Sequence, residues 1–213
     1  MTWTVTGSRH LHRDRWLSVR ADDCVTQSGA IVAPFYVLEY PDWVHVVALD
    51  RADHVLLVRQ YRHGLGGMSL ELPGGMMDKA DADPVAAGMR ELAEETGYAG
   101  DDRRLIASLS PNPATHANRL HVVLAQNVEP RRETSLDETE DVFCERVPCA
   151  EAVRLALEGG IMHAAHAGLL LMALKAAGRL ALSLVPAKPR NEGGDVENEG
   201  GDVESVQTQA RTI

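Results

Sequence analysis

The sequence predicts an α+β fold, a mixed β-sheet with helices laid against its faces. Short runs rich in β-branched residues recur through the first 147 positions. One helix among them is bracketed by its own start and stop signals, and two further helical stretches follow residue 149. Strands with helices among and after them make a mixed sheet with helices against its faces.

In chain order, residues 16–20 alternate polar and apolar, and residues 31–39, 44–49 and 54–59 are strand-like. Residues 70–72 form a short apolar piece that stops at Pro73-Gly74-Gly75, a loop signal. Asp83-Pro84 then supplies an N-cap followed by proline at the first helical position. Gly97 stands where a helix stop belongs, enclosing a helix over Pro84–Thr96. Strand character returns at 105–110, 120–125 and 142–147, with helices expected over 150–157 and 164–177.

Composition bounds the rest. An apolar fraction of 45% builds a sizeable core, while no run approaches the roughly 20 apolar residues that span a membrane. The N-terminal stretch carries charges where a secretion signal needs its apolar segment. Cys24, Cys144 and Cys149 are an odd set without metal-type spacing and read as free thiols, so a cytoplasmic location is expected. The net charge of -10 argues against nucleic-acid binding. Half of it lies after residue 190, where NEGGDVE at 191–197 is repeated letter for letter at 198–204. So acidic and Gly-rich a stretch buries too little apolar surface to offset its ordering entropy. The expected organisation is N-terminal strands over 1–40, a principal domain over 41–186, and a disordered acidic tail over 187–213.

Chemistry concentrates in Arg90-Glu91-Leu92-Ala93-Glu94-Glu95-Thr96-Gly97-Tyr98. Residues three and four apart are neighbours on a helix, so Glu91, Glu94 and Glu95 share overlapping faces. Grouped carboxylates repel unless a cation joins them. Arg90 can satisfy one, and the remaining oxygens suit Mg²⁺ or Mn²⁺ better than Zn²⁺, since no His or Cys falls in register. Taken alone, a solvated charged face explains such a cluster equally well.

The stretch resembles the Nudix box: Gly, five residues, Glu, seven residues, then Arg-Glu-aliphatic-x-Glu-Glu-x-Gly-aliphatic. Arg90 to Gly97 match the second half in full, with Tyr98 in the last apolar place. The first half departs. Without a gap, Met76 and Ala82 stand at the glycine and glutamate positions. With one inserted residue, Gly75 is the glycine and Asp81 a substitute acid, the preferred alignment because Gly75 suits a tight loop. The resemblance implies a Nudix-type α/β/α sandwich preceded by antiparallel N-terminal strands. It further implies that Glu91, Glu94 and Glu95 carry Mg²⁺ or Mn²⁺, with Glu91 and Glu95 catalytic. Arg90 would pair internally to hold helix to loop. The Gly74 carbonyl would be a further ligand, at a position where relatives often have alanine.

Val58-Arg59-Gln60-Tyr61-Arg62, followed by Glu71-Leu72-Pro73, is similar to the ADP-ribose pyrophosphatase and nucleoside-diphosphate-sugar hydrolase branch. Arg62, and next Arg59, are the cations an anionic substrate wants. In the polar loop after the box, His116 and Asn118 either touch substrate or cap the turn. The acidic run over 136–142 resembles the loop from which this branch supplies a general base: Glu140, with Glu138 second. Relatives stack adenine on aromatic rings of the N-terminal strands, partly across a homodimer. Trp16 with Phe35 or Tyr36 would do so here, ordinary packing being the alternative. His163 and His166 read as structural or exposed. The expected activity is hydrolysis of ADP-ribose or a related nucleoside-diphosphate sugar to a nucleoside monophosphate and a sugar phosphate. The alternatives are a dinucleotide or GDP-sugar substrate, or a non-catalytic sensor on the same fold.

Overall fold

The computed structural model describes residues 2–136 and 141–183. The two acids expected to serve as base, Glu138 and Glu140, lie outside these, as does the repeated tail.

Three strands, β1 (Thr4–Arg13), β2 (Ser18–Val25) and β3 (Ile31–Glu39), form an antiparallel sheet of their own. Only residues 16–20 and 31–39 were legible as strands here. β1 leaves nine of its ten residues exposed, so neither face imposes an apolar alternation. Trp16 lies before β2, in a turn whose Trp16 and Leu17 amides both donate to Asp14 Oδ1.

The principal sheet contains β4 (Trp43–Asp50), β5 (His54–Arg62), β6 (Gly67–Glu71), β7 (Gly74–Met76), β8 (Tyr98–Ala99), β9 (Asp102–Leu109), β10 (Leu120–Pro130) and β11 (Val142–Pro148). Its spine runs β11-β5-β4-β10-β8, with β6 beside β5, β7 beside β4 and β9 beside β10. β4 and β10 are parallel and the other pairings antiparallel, so the sheet is mixed. The Pro73-Gly74-Gly75 signal marks not only a loop: Gly74 and Gly75 open β7 and pair with His45 and Val44.

Helix α1 (Pro84–Thr96) covers one face of this sheet; α2 (Cys149–Leu157) and α3 (Ala164–Ala176) cover the other. Alternation along β4 shows both contacts. Val44, Val46 and Ala48 pack with Ala87 and Leu92 of α1, whereas Val47 and Leu49 pack with Leu169, Leu170 and Leu174 of α3. Burial on both faces explains why β4 and β10 read as near-continuous apolar runs. The result is the expected α/β/α sandwich.

Candidate active site

Helix α1 begins and ends at the residues its sequence names. Asp83 accepts from the Ala86 amide at 2.8 Å, Pro84 opens the first turn, and Gly97 closes the helix in the left-handed region at φ 75°. A Cβ on Gly97 would meet the Arg132 carbonyl at 2.4 Å. The Arg132 side chain donates to the Ala93 carbonyl, and the Ser135 amide donates to that of Glu94. The last turn is thereby fixed to the segment leading into residues 137–140.

Glu91, Glu94 and Glu95 emerge together on one side of α1. Arg90 lies among them, its Nη1 donating to Glu91 Oε1 and Glu94 Oε2 at 3.0 Å each. Its Nε and Nη2 grip both oxygens of Asp81, and Nη2 reaches the Met76 carbonyl. The guanidinium thus ties helix to loop and satisfies more than the one carboxylate expected of it. Asp81, held by Arg90, sits below the usual carboxylate range, and Arg90 is raised in turn. Gly75 is where close approach is needed: a Cβ there would fall 2.7 Å from Glu91 Oε1. Glu95 is buried and accepts from the Gly74 amide at 2.8 Å.

Gly74 and Gly75, the three glutamates, Arg90, Arg62 and Trp16 share one cleft of about 1020 Å³. Arg62 forks onto Glu71 at 2.9 and 2.7 Å. Burial pushes the Glu71 carboxyl up, but bonds from Arg62 and Ser69 more than offset it and leave it below its ordinary value. Ser135 and Leu136 also line the cleft.

Other expected site residues lie away from the cleft wall. Arg59 pairs with Glu145 of the neighbouring strand β11. His116 stacks on Tyr40 at 5.4 Å, and its amide closes a turn on the Asn112 carbonyl. Asn118 is buried and donates to the Pro41 carbonyl. His116 thus closes its own turn, while Asn118 ties this loop to the segment before β4. Tyr36 is half exposed on β3, and Phe35 meets Trp3 edge-on, so neither ring stacks with Trp16 within one chain.

Sequence reasoning missed His45, and it left His166 without a partner. The two rings meet across the fold with Nε2 atoms 3.2 Å apart, and His163 stacks on His166 at the cleft. The available signal was His45 itself, one polar residue inside a doubly buried apolar strand.

A divalent ion fits this face by donor chemistry. Three carboxylates line the cleft together, Gly75 leaves open the space in front of Glu91, and Gly74 borders the same cleft. Among the described residues, no three His, Cys, Asp or Glu side chains converge as a preformed cage. A one-sided carboxylate face suits Mg²⁺, which keeps several waters and shares substrate phosphates rather than entering an all-protein cage.

The comparisons with known proteins agree with this architecture. The chain belongs to the Nudix family: the NUDIX domain matches residues 39–165, and the nucleoside diphosphate sugar hydrolase N-terminal domain matches residues 3–38. An ADP-ribose pyrophosphatase of Mycobacterium tuberculosis is 33% identical over 165 residues, covering 76% of this chain and 79% of that protein. A Bacillus subtilis ADP-ribose pyrophosphatase is 31% identical over 122 residues, 56% of this chain and 64% of its own length. The crystal structure of an ADP compounds hydrolase superposes with a TM-score of 0.74 at 25% identity. The match covers 84% of this chain and 98% of the other.

Proposed function

We propose that this chain hydrolyses the diphosphate bond of ADP-ribose or a related nucleoside-diphosphate sugar, releasing a nucleoside monophosphate and a sugar phosphate. One observation carries the reading: the carboxylates of α1 and the Arg62–Glu71 pair face a single cleft large enough for a nucleotide sugar. The relatives named for ADP-ribose hydrolysis support it.

Glu91, Glu94, Glu95 and the Gly74 carbonyl would hold Mg²⁺ or Mn²⁺. Bound there, the ion supplies charge neutralisation for diphosphate oxygens and acidifies a water. The protein's own groups do the rest. Arg62, oriented by Glu71, brings its positive charge to the phosphate oxygens. Trp16 offers a flat ring to the base or sugar end. Glu140, with Glu138 second, takes the proton of the attacking water, and the chain enters their segment from the cleft wall at Ser135 and Leu136.

The three-stranded N-terminal sheet supports a homodimer, since Trp3, Val5, Leu11, Ile31 and Tyr36 all stand about half exposed or more. This sheet would be a dimer-forming extension of residues 1–40 beside a catalytic domain over 41–186. Light scattering should return twice the chain mass. Free cysteines fit a reducing compartment, and no described helix is long and apolar enough to cross a membrane, so the cytoplasm is the proposed setting.

The deciding experiment incubates pure protein and Mg²⁺ with a panel of nucleoside-diphosphate sugars and dinucleotides, then adds phosphatase. Free phosphate should depend on both proteins and be greatest with ADP-ribose or a near relative. No release from any diphosphate would leave the sensor reading in its place.

A further inference from the structure

We propose that His166, on a helix bearing none of the cleft carboxylates, is a positioning residue that holds Leu72-Pro73-Gly74 in the geometry ion binding requires. This rests on the reading of Glu95 and the Gly74 carbonyl as ion ligands.

The atoms of this contact allow one set of hydrogen-bonding roles. The Leu72 amide donates to His166 Nδ1 at 3.2 Å, so that nitrogen carries a lone pair. A neutral imidazole with an accepting Nδ1 bears its proton on Nε2. That proton points to His45 Nε2, 3.2 Å away, which must accept and leaves the second ring's proton on Nδ1. Burial keeps both rings neutral: His166 is 1% exposed, and His45 is lowered to about 4. The tautomers follow in sequence from one backbone amide, and each ring fixes the next.

From His45 the link to Gly74 is one of close packing. His45 Nδ1, without a hydrogen-bond partner among the described residues, lies 2.8 Å from where a Gly74 Cβ would stand. Gly74 has φ 149°, and the same Cβ would be 2.1 Å from the Val44 carbonyl oxygen. Only glycine lets the segment lie this close to β4. On the opposite side the Gly74 amide donates to Glu95. Between them the Pro73 carbonyl accepts from the Val46 amide at 2.8 Å. Three consecutive residues are therefore pinned from α3, from β4 and from α1. Deleting the α3 contact frees the Leu72 amide and lets the Gly74 carbonyl turn relative to Glu95. His163 stacks on His166 at 4.1 Å, and all three rings border the cleft.

The test compares His166→Leu, His166→Asn and His166→Gln in the full chain. Asn carries an oxygen near the place of Nδ1, whereas Gln reaches toward Nε2. Mn²⁺ binding to the protein alone, read by electron paramagnetic resonance, is measured beside kcat and KM for ADP-ribose and the melting temperature. The Leu variant should bind Mn²⁺ about 10-fold more weakly or worse, as loss of a ligand-orienting partner typically does. Its kcat should fall with KM nearly unchanged, and Asn should recover more Mn²⁺ binding than Gln. A folded Leu variant with native Mn²⁺ affinity overturns the proposal. Should the Leu variant not fold, equal binding by Asn and Gln overturns it as well. Absence of diphosphate turnover in the unaltered protein would instead strike the proposed function, because Mn²⁺ binding is read without substrate.

Discussion

Glu95 combines two duties, a bond to the Gly74 amide and a place on the carboxylate face. Replacement by glutamine keeps the shape and one oxygen while removing the charge. Glu95→Gln should therefore lower kcat by roughly 100-fold or more while substrate affinity changes little, as judged by steady-state rates beside direct titration. Equal turnover by the two proteins would remove Glu95 from the chemistry. His45 yields a prediction about acid. Its folded value, about 4, lies below the unfolded 6.5, so the unfolded chain binds more protons between these pH values. Stability is full above about pH 6.5 and declines as pH falls toward 4, by about 3 kcal/mol from this ring. Denaturant unfolding at pH 7 and pH 5 should show the loss, and His45→Leu should flatten the profile. His45 was not read from the sequence, and His166 was read there only as structural or exposed, without its partner. The two are 121 residues apart, and no local spacing announces a pair made by packing.

The elements differ in how openly the sequence declared them. Helix α1 was readable to its end residues because Asp83, Pro84 and Gly97 act locally, through one amide, one fixed φ and one left-handed turn. Their removal should cost accordingly. Asp83→Ala should lower stability by about 1 kcal/mol. Gly97→Ala should cost more, on the order of 2 kcal/mol, since strain at positive φ adds to the clash with the Arg132 carbonyl. Thermal melting of both variants checks the order, and a neutral Gly97→Ala would contradict the cap geometry. Strands β1, β7 and β8 were not readable. The first is exposed on both faces, and the other two are only three and two residues long, so their pairing comes from neighbours rather than from pattern.

Across the whole molecule, a mixed sheet covered by helices followed from the strand-like and helical runs, the α/β/α order from the family resemblance, and the carboxylate cluster from helical spacing. The rest of the cleft did not. Trp43, Ser69 and Met162 reach it from distant segments, while Arg59 and Asn118, plausible by motif, are drawn off by Glu145 and the Pro41 carbonyl. Arg90 has a consequence at this scale. Its guanidinium acts as a resident counter-ion, so the acidic patch is partly balanced before any metal is taken up. Chelation should abolish turnover yet shift the melting temperature by only a few degrees. Arg90→Leu should make that same melting curve rise steeply with added Mg²⁺. In the native chain, then, a metal ion would join a face that Arg90 already steadies instead of rescuing a protein that would otherwise fall apart.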